Sequence, residues 1–299
     1  MLFVLEEGVL KQAGVPAQEG ICVGLFYKGE SFPEKLLPSK TAESFFKNPS
    51  TRFESRENLD ALRLNLPDHR RKEGKDGGIT AFLTGHALLM FCDSERLLET
   101  VREELCEPRQ NLTVERILFG IFEGVLSEDA AYLSQLEKEV EQLEDDVLLD
   151  RKQKDCTKRI LRLRKRLMNL KRHYERVTDV FDRVLLNENG LLSARGLKLL
   201  QIPFGRAGRL YGEVLHLLDY VTQVREAYQA EVDLNLNQTM KLFTVLAAVF
   251  LPLTLIVGWY GMNFDMPEYR WAWGYPVVIA VSVIVVVACI LYFKRKKWF

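Results

Sequence analysis

Between Leu242 and Phe264, and again between Trp271 and Phe293, the chain carries no Asp, Glu, Lys or Arg. Each run is about 23 residues, and a helix of that length at about 1.5 Å per residue spans the ~30 Å hydrocarbon core of a bilayer. Two adjacent membrane crossings near the C-terminus are therefore expected. The average composition conceals them: 47% hydrophobic, 27% charged, and 41 basic residues against 41 acidic ones. Charge is packed into the first 240 residues, so a charged body is fused to a membrane module.

The flanks set an expected orientation. Lys294, Arg295, Lys296 and Lys297 follow the second run and Lys241 precedes the first, whereas the connecting loop holds Asp265, Glu268 and a single Arg270. Under the positive-inside rule both termini are cytoplasmic and the loop is external. No charged-then-apolar leader opens the chain, so the body is expected to stay on the side where it is made. Trp271, Trp273 and Tyr275 suit an outer aromatic belt, and Tyr292 and Trp298 an inner one. Five cysteines lack CxxC spacing and the four histidines lack metal-ligand spacing, which predicts reduced structural thiols and no zinc site.

Residues 1–125 read as an α/β domain. Leu62, Leu64 and Leu66 alternate with Arg63 and Asn65, the pattern of a half-buried strand. Residues 79–83 and 86–92 flank a Thr84-Gly85 turn as a hairpin, Asp93 or Ser94 can cap a helix, and Thr113 can cap another with Glu115 in its first turn. Residues 126–239 read as long helices. Leu133, Leu136, Val140, Leu143 and Val147 recur at three-four spacing among acidic residues. Ile160, Leu163, Leu167, Leu170, Tyr174, Val177, Phe181 and Val184 do so in a helix that starts strongly basic. An acidic helix beside a basic one predicts an antiparallel pair. The basic run is then a solvated or paired helix face, not a nucleic-acid patch. The Glu141–Asp146 cluster reads more readily as a solvated helix exterior than as a divalent store. Asn187 to Gly196 reads as a break, and Pro203, Gly205 and Gly208 as an irregular start to a helix that continues to Tyr260.

Carried into the membrane at the same helical phase, Asn237, Met240, Thr244, Ala247, Leu251, Thr254 and Gly258 form one stripe. It collects most of the small and polar residues of a span otherwise made of Leu, Val, Phe and Ile. Such a face prefers helix contact or a water-filled path to lipid. One helix cannot enclose a path, so a homo-oligomer of cyclic symmetry is expected, with the first span of each copy lining a central pore. The stripe has no fixed charge and ends at Gly261 and Asn263, whose neutral oxygens can hold a cation through its hydration shell. Mg²⁺, which dehydrates reluctantly, suits that treatment best. Gly261 would let the backbone turn and expose its carbonyl at the helix end. Asp265 and Glu268 outside would raise the local cation concentration.

Tyr260-Gly261-Met262-Asn263-Phe264, then Met266-Pro267-Glu268, Trp271-x-Trp273-Gly274-Tyr275-Pro276 and the closing Lys294-Arg295-Lys296-Lys297-Trp298-Phe299 resemble the CorA family of magnesium transporters. The resemblance implies an α+β membrane protein: a cytoplasmic α/β domain, a long helical stalk and two C-terminal transmembrane helices, assembled as a homopentameric funnel. It divides the chain at 1–125, 126–239, 240–264 for the first span, 265–270 for the external loop, 271–293 for the second span and 294–299 for the tail. It places Gly261, Met262 and Asn263 in an outer selectivity ring, Thr254 and Leu251 at mid-pore, and Met240 with Phe243 at a gate near Asn237. Helical phase points Thr244 inward there instead, so the constriction stays open between Phe243 and Thr244. The family's acidic sensor segment is replaced here by Leu200-Gln201-Ile202-Pro203-Phe204-Gly205-Arg206.

The expected function is passive, membrane-potential-driven Mg²⁺ uptake, with Co²⁺ and Ni²⁺ as further ions, no cofactor and no enzymatic reaction. The partners are divalent cations, the bilayer and further copies of the chain in an inner or plasma membrane. No phosphate-binding glycine pattern accompanies it. Lys294 to Lys297 form either a basic collar at the cytoplasmic mouth or a topology anchor. A transporter of Zn²⁺ or another divalent metal, such as cobalt or nickel, in the same superfamily and a non-transporting, membrane-anchored coiled-coil scaffold are the alternatives.

Overall fold

A computed structural model describes residues 1–6, 8–13, 20–48, 50–66, 77–106, 111–149, 153–263, 271–296 and 298. Near the N-terminus, seven strands form one sheet: β1 (Leu2–Glu6), β2 (Val9–Ala13), β3 (Ile21–Tyr27), β4 (Arg52–Arg56), β5 (Leu59–Asn65), β6 (Gly78–Thr84) and β7 (Ala87–Cys92). Their spatial order is β2-β1-β3-β7-β6-β5-β4. The β3–β7 pair is parallel and the others antiparallel. The central strands β3, β6 and β7 are apolar almost throughout because both faces of the sheet are covered. On one face, helix α1 (Ser39–Phe46) brings Phe45 and Phe46 against Phe82 and Phe91, with ring centroids 5.1–6.0 Å apart. On the other, Leu62, Leu64, Ile79, Ala81 and Met90 meet Leu118, Ile121 and Phe122 of helix α3 (Val114–Leu148).

Two covered faces change the reading of β5. Its alternation suggests that Arg63 faces water, yet Arg63 is 1% exposed. The guanidinium is retained because each of its nitrogens has a partner: Nη2 donates to Asp93 Oδ2 at 2.5 Å, Nη1 to Thr80 Oγ1 at 2.9 Å and Nε to Asn65 Oδ1 at 3.1 Å. Asp93 is thereby committed to Arg63. Ser94 instead caps helix α2 (Glu95–Cys106), its Oγ accepting from the Leu97 amide.

Thr113 caps α3 as its sequence suggests, accepting from the Arg116 amide. The helix then crosses residue 125 without interruption, so the two helices expected on either side of that point are one. Helix α4 (Gln153–Leu186) returns alongside it. The three-four positions of both helices are the buried ones, from Leu136, Val140 and Leu143 at 0% exposure to Leu167 and Tyr174 at 0%. Cross-helix pairs confirm the antiparallel register: Arg159 meets Asp146, and farther from the turn Arg166 meets Glu139 at 2.7 Å and Tyr132 Oη at 3.0 Å.

Helix α5 runs from Ala194 to Tyr260. Where Pro203, Gly205 and Gly208 suggest an irregular start, the helix runs straight through. Pro203 removes one helical donor, but Pro203, Phe204 and Ala207 are buried and Phe204 stacks on Phe181 at 3.9 Å, which offsets that loss. The true start is built by Glu115, whose Oε1 accepts from the Ser193 amide at 2.9 Å and the Ser193 hydroxyl at 2.8 Å; the same hydroxyl accepts from the Gly196 amide at 3.0 Å. Burial pushes the Glu115 pKa up, but the hydrogen bonds from Ser193 and Thr113 outweigh it and hold the carboxyl below its ordinary value. The chain divides into two compact units, Met1–Arg225 and Glu226–Phe299. The second contains the end of α5 and helix α6 (Gly274–Arg295).

Candidate functional site

The second unit is built from helices whose most apolar 18-residue stretches are only 6% buried in each case. A soluble protein does not leave such surface in water, whereas lipid solvates it. What little is covered on α5 repeats with helical period: Val245 is buried and Ala248, Val249, Pro252, Leu253, Ile256 and Tyr260 are half-buried. Helix α6 reaches this face, where Cys289 Sγ lies 3.6 Å from the Ala248 carbonyl oxygen. Its own covered positions, Val278, Ser282, Val285, Val286, Cys289 and Phe293, likewise share one side.

At about 100° per residue, Met240, Thr244, Ala247, Leu251, Thr254 and Gly258 fall on the opposite side of α5. All six are exposed, as are Asn237 and Phe243. Phe243 and Thr244 flank the centre line, on which Met240 sits, so both are on the exposed side. Ala247, Phe250, Leu251, Thr254, Leu255, Gly258, Trp259 and Met262 line an open groove of about 580 Å³ along this side. The two threonine hydroxyls donate back to their own helix, Thr244 to the Met240 carbonyl and Thr254 to the Phe250 carbonyl, each at 2.8 Å. With its proton used this way, each hydroxyl oxygen keeps lone pairs to accept hydrogen bonds. A residue that offers acceptors and no charge suits the water shell of a cation.

The helix ends at Tyr260, and the Gly261 amide still donates to the Val257 carbonyl at 2.8 Å. Gly261 sits in a turn just past the helix end and does so without a left-handed conformation. A Cβ there would lie 2.9 Å from the Val257 oxygen, so close approach is what calls for glycine. Met262 is 45% exposed and closes the groove, and Asn263 is exposed beyond it. Asp265 and Glu268 lie outside the described residues, as does Lys297. Lys294, Arg295 and Lys296 are exposed at the C-terminal end of α6, where cations also complement the helix dipole.

In the first unit, two members of the Glu141–Asp146 cluster are engaged by their own chain. Asp146 pairs with Arg159, and Glu144 Oε2 accepts from Tyr220 Oη at 2.5 Å. That hydrogen bond, then burial and the nearby acidic charges push the Tyr220 pKa up to about 12. The segment from Leu200 to Arg206 lies within α5 and buries Leu200, Pro203 and Phe204.

An α/β body followed by a long helix whose far end is apolar over a bilayer's thickness, and by a second apolar helix of that length, defines an integral membrane protein. The chain belongs to the family of CorA-like Mg²⁺ transporter proteins, whose family profile matches residues 37–295. It is similar to the cobalt/magnesium transport protein CorA of Thermotoga maritima, 27% identical over 275 residues that cover 90% of this chain and 78% of that protein. Against the magnesium transport protein CorA of Wolinella succinogenes it is 43% identical over 82 residues, 27% of this chain and 26% of the other. Its fold matches the complete structure of the CorA magnesium transporter of Methanocaldococcus jannaschii with a TM-score of 0.77 at 18% identity, covering 100% of this chain and 99% of that one.

Proposed function

We propose that this protein carries divalent cations, Mg²⁺ foremost, passively across the membrane through a pore at the centre of a homopentamer. Both termini are cytoplasmic in this reading, and the loop at 265–270 is external. The observation that carries it is the two-sidedness of α5. Its apolar side is covered where α6 reaches it, while the stripe of Met240, Thr244, Ala247, Leu251, Thr254 and Gly258 is left open. Five copies of that stripe facing one axis enclose an uncharged, acceptor-lined path. Gly261, Met262 and Asn263 then form a ring at its outer end that holds the ion through its water shell. Asp265 and Glu268 concentrate cations outside, and Lys294 to Lys297 sit at the cytoplasmic side. Moving one charge through 100 mV is worth about 2.3 kcal/mol, so a divalent ion gains about twice that without ATP.

The name of the Thermotoga relative supports a second cargo, Co²⁺, in the same path. Asn263→Ala in proteoliposomes tests the ring: Mg²⁺ uptake is expected to be lost while the assembly keeps its size on a gel-filtration column. Undiminished uptake in an assembled Asn263→Ala protein refutes the ring.

A further inference from the structure

Pro252 interrupts the backbone hydrogen bonding of α5 inside the apolar run. It has no amide proton, so the carbonyl of Ala248, four residues earlier, loses its helical donor. In hydrocarbon such a group must find another partner, because no water is there to supply one. The partner comes from the other helix: Cys289 Sγ of α6 lies 3.6 Å from the Ala248 oxygen. On the same helix, the Ser282 hydroxyl turns back to its own Val278 carbonyl at 2.8 Å. The thiol of Cys289 instead reaches across to the carbonyl that the proline has freed.

We infer that Cys289 is a positioning residue whose S–H donates to the Ala248 carbonyl orphaned by Pro252, pinning the second apolar helix to the first at the first helix's break. The bond is directional and crosses between the helices, whereas the Ser282 hydroxyl stays on its own helix, so it sets rotation and height in a contact that dispersion alone leaves free to slide. Leu251 and Thr254 flank Pro252 on the opposite side of α5, so the pin holds the stretch that presents them. Its bearing on permeation rests on the proposed transport reading; the hydrogen bond itself does not.

The test uses the full chain in lipid. The infrared S–H stretch of Cys289, isolated as the difference between the wild type and Cys289→Ala, is expected to be shifted to the low frequency of a bonded thiol. A free-thiol frequency overturns the inference. In a double-mutant cycle, Cys289→Ala is expected to lower the Tm of the assembly by ~2 °C in the Pro252 background. It is expected to have no effect in Pro252→Ala, where the amide of residue 252 takes the carbonyl back. Equal losses in both backgrounds show that sulfur only fills space, and overturn it. If Cys289→Ala does not assemble, Cys289→Ser keeps a donor and Cys289→Val keeps volume without one. Serine holding where valine fails supports the pin, and any other order refutes it. The infrared reading stands whether or not the protein conducts, so failure here is distinct from failure of the Asn263→Ala experiment.

Discussion

Gly258 offers a sharp test of where the open side of α5 faces. A Cβ added there meets nothing within 4 Å in the chain, and Ala is more favourable than Gly in a helix interior by about 0.8–1.0 kcal/mol. Considered as one chain, Gly258→Ala should therefore stabilise each copy. If the glycine instead packs against a neighbouring copy, the added methyl overpacks that contact, at a cost of about 1–3 kcal/mol, and the sign reverses. If it faces lipid, even a large side chain is tolerated. A water-filled path makes a different pair of demands: Gly258→Ala keeps or raises the Tm, while Gly258→Trp, which fills the groove, cuts Mg²⁺ flux by at least about tenfold, equivalent to ~1.4 kcal/mol of added barrier. Both variants are read by thermal unfolding of the purified assembly and by dye-reported flux into proteoliposomes. Gly258→Trp with undiminished flux, or Gly258→Ala with a lowered Tm, refutes the pore-lining assignment. Gly196→Ala is the contrasting control, since its Cβ would lie 2.2 Å from Glu115 Cγ and should destabilise the first unit whatever the membrane helices do.

The buried ion pair of the sheet should be far less forgiving. Asp93→Ala leaves the Arg63 guanidinium buried without its carboxylate, and a loss of about 3–5 kcal/mol is expected in chemical unfolding; removing both charges together should cost much less. Glu115 predicts an acid-side effect. Its carboxyl is held below the usual value when folded, so its contribution is full above about pH 4.3 and fades as the pH falls through the folded value. The stability gap between wild type and Glu115→Gln should close over that range in pH-dependent melting. Tyr220 acts at the alkaline end. Its folded pKa lies at about 12, so its stabilisation is full below about pH 10 and lost as the pH rises through 12. Tyr220→Phe should remove that component from an alkaline denaturation curve.

The helical pair was the most legible part of the fold. A three-four repeat has one geometric solution, and every seam position from Leu133 to Val147 and from Ile160 to Val184 is buried. The N-terminal strands were harder to read. β2 and β4 are five residues each, and β3 is apolar on both faces, so neither length nor alternation distinguishes them. Arg63 shows the limit of alternation: whether a polar residue between leucines meets water depends on whether the second face has partners for it, and here they are Thr80 and Asp93, on or beside other strands. For the site, the two apolar runs and their polar stripe were plain because lipid makes a single demand on a helix. Which side of α5 its neighbour covers was not, and neither was the donor for the Ala248 carbonyl, since Cys289 is 41 residues away and a thiol alone carries no signal of its partner.

The loop between α4 and α5 ties a distant part of the sheet. Asn189 Nδ2 donates to the Arg56 carbonyl at 2.6 Å and to Asp60 Oδ1 at 2.8 Å, the latter across 129 residues of chain, with Ser55 Oγ also 2.9 Å away. These partners belong to the β4–β5 hairpin, and β4 is the outermost strand on that side of the sheet. At ribosomal rates of about 5–20 residues per second, those intervening residues take roughly 6–26 s to emerge. During that interval the hairpin waits without its clasp, its outer strand open to pairing with another nascent chain. Until that one asparagine arrives, the Arg56 carbonyl and the Asp60 carboxylate at the turn end of the hairpin lack the donor that the folded chain gives them.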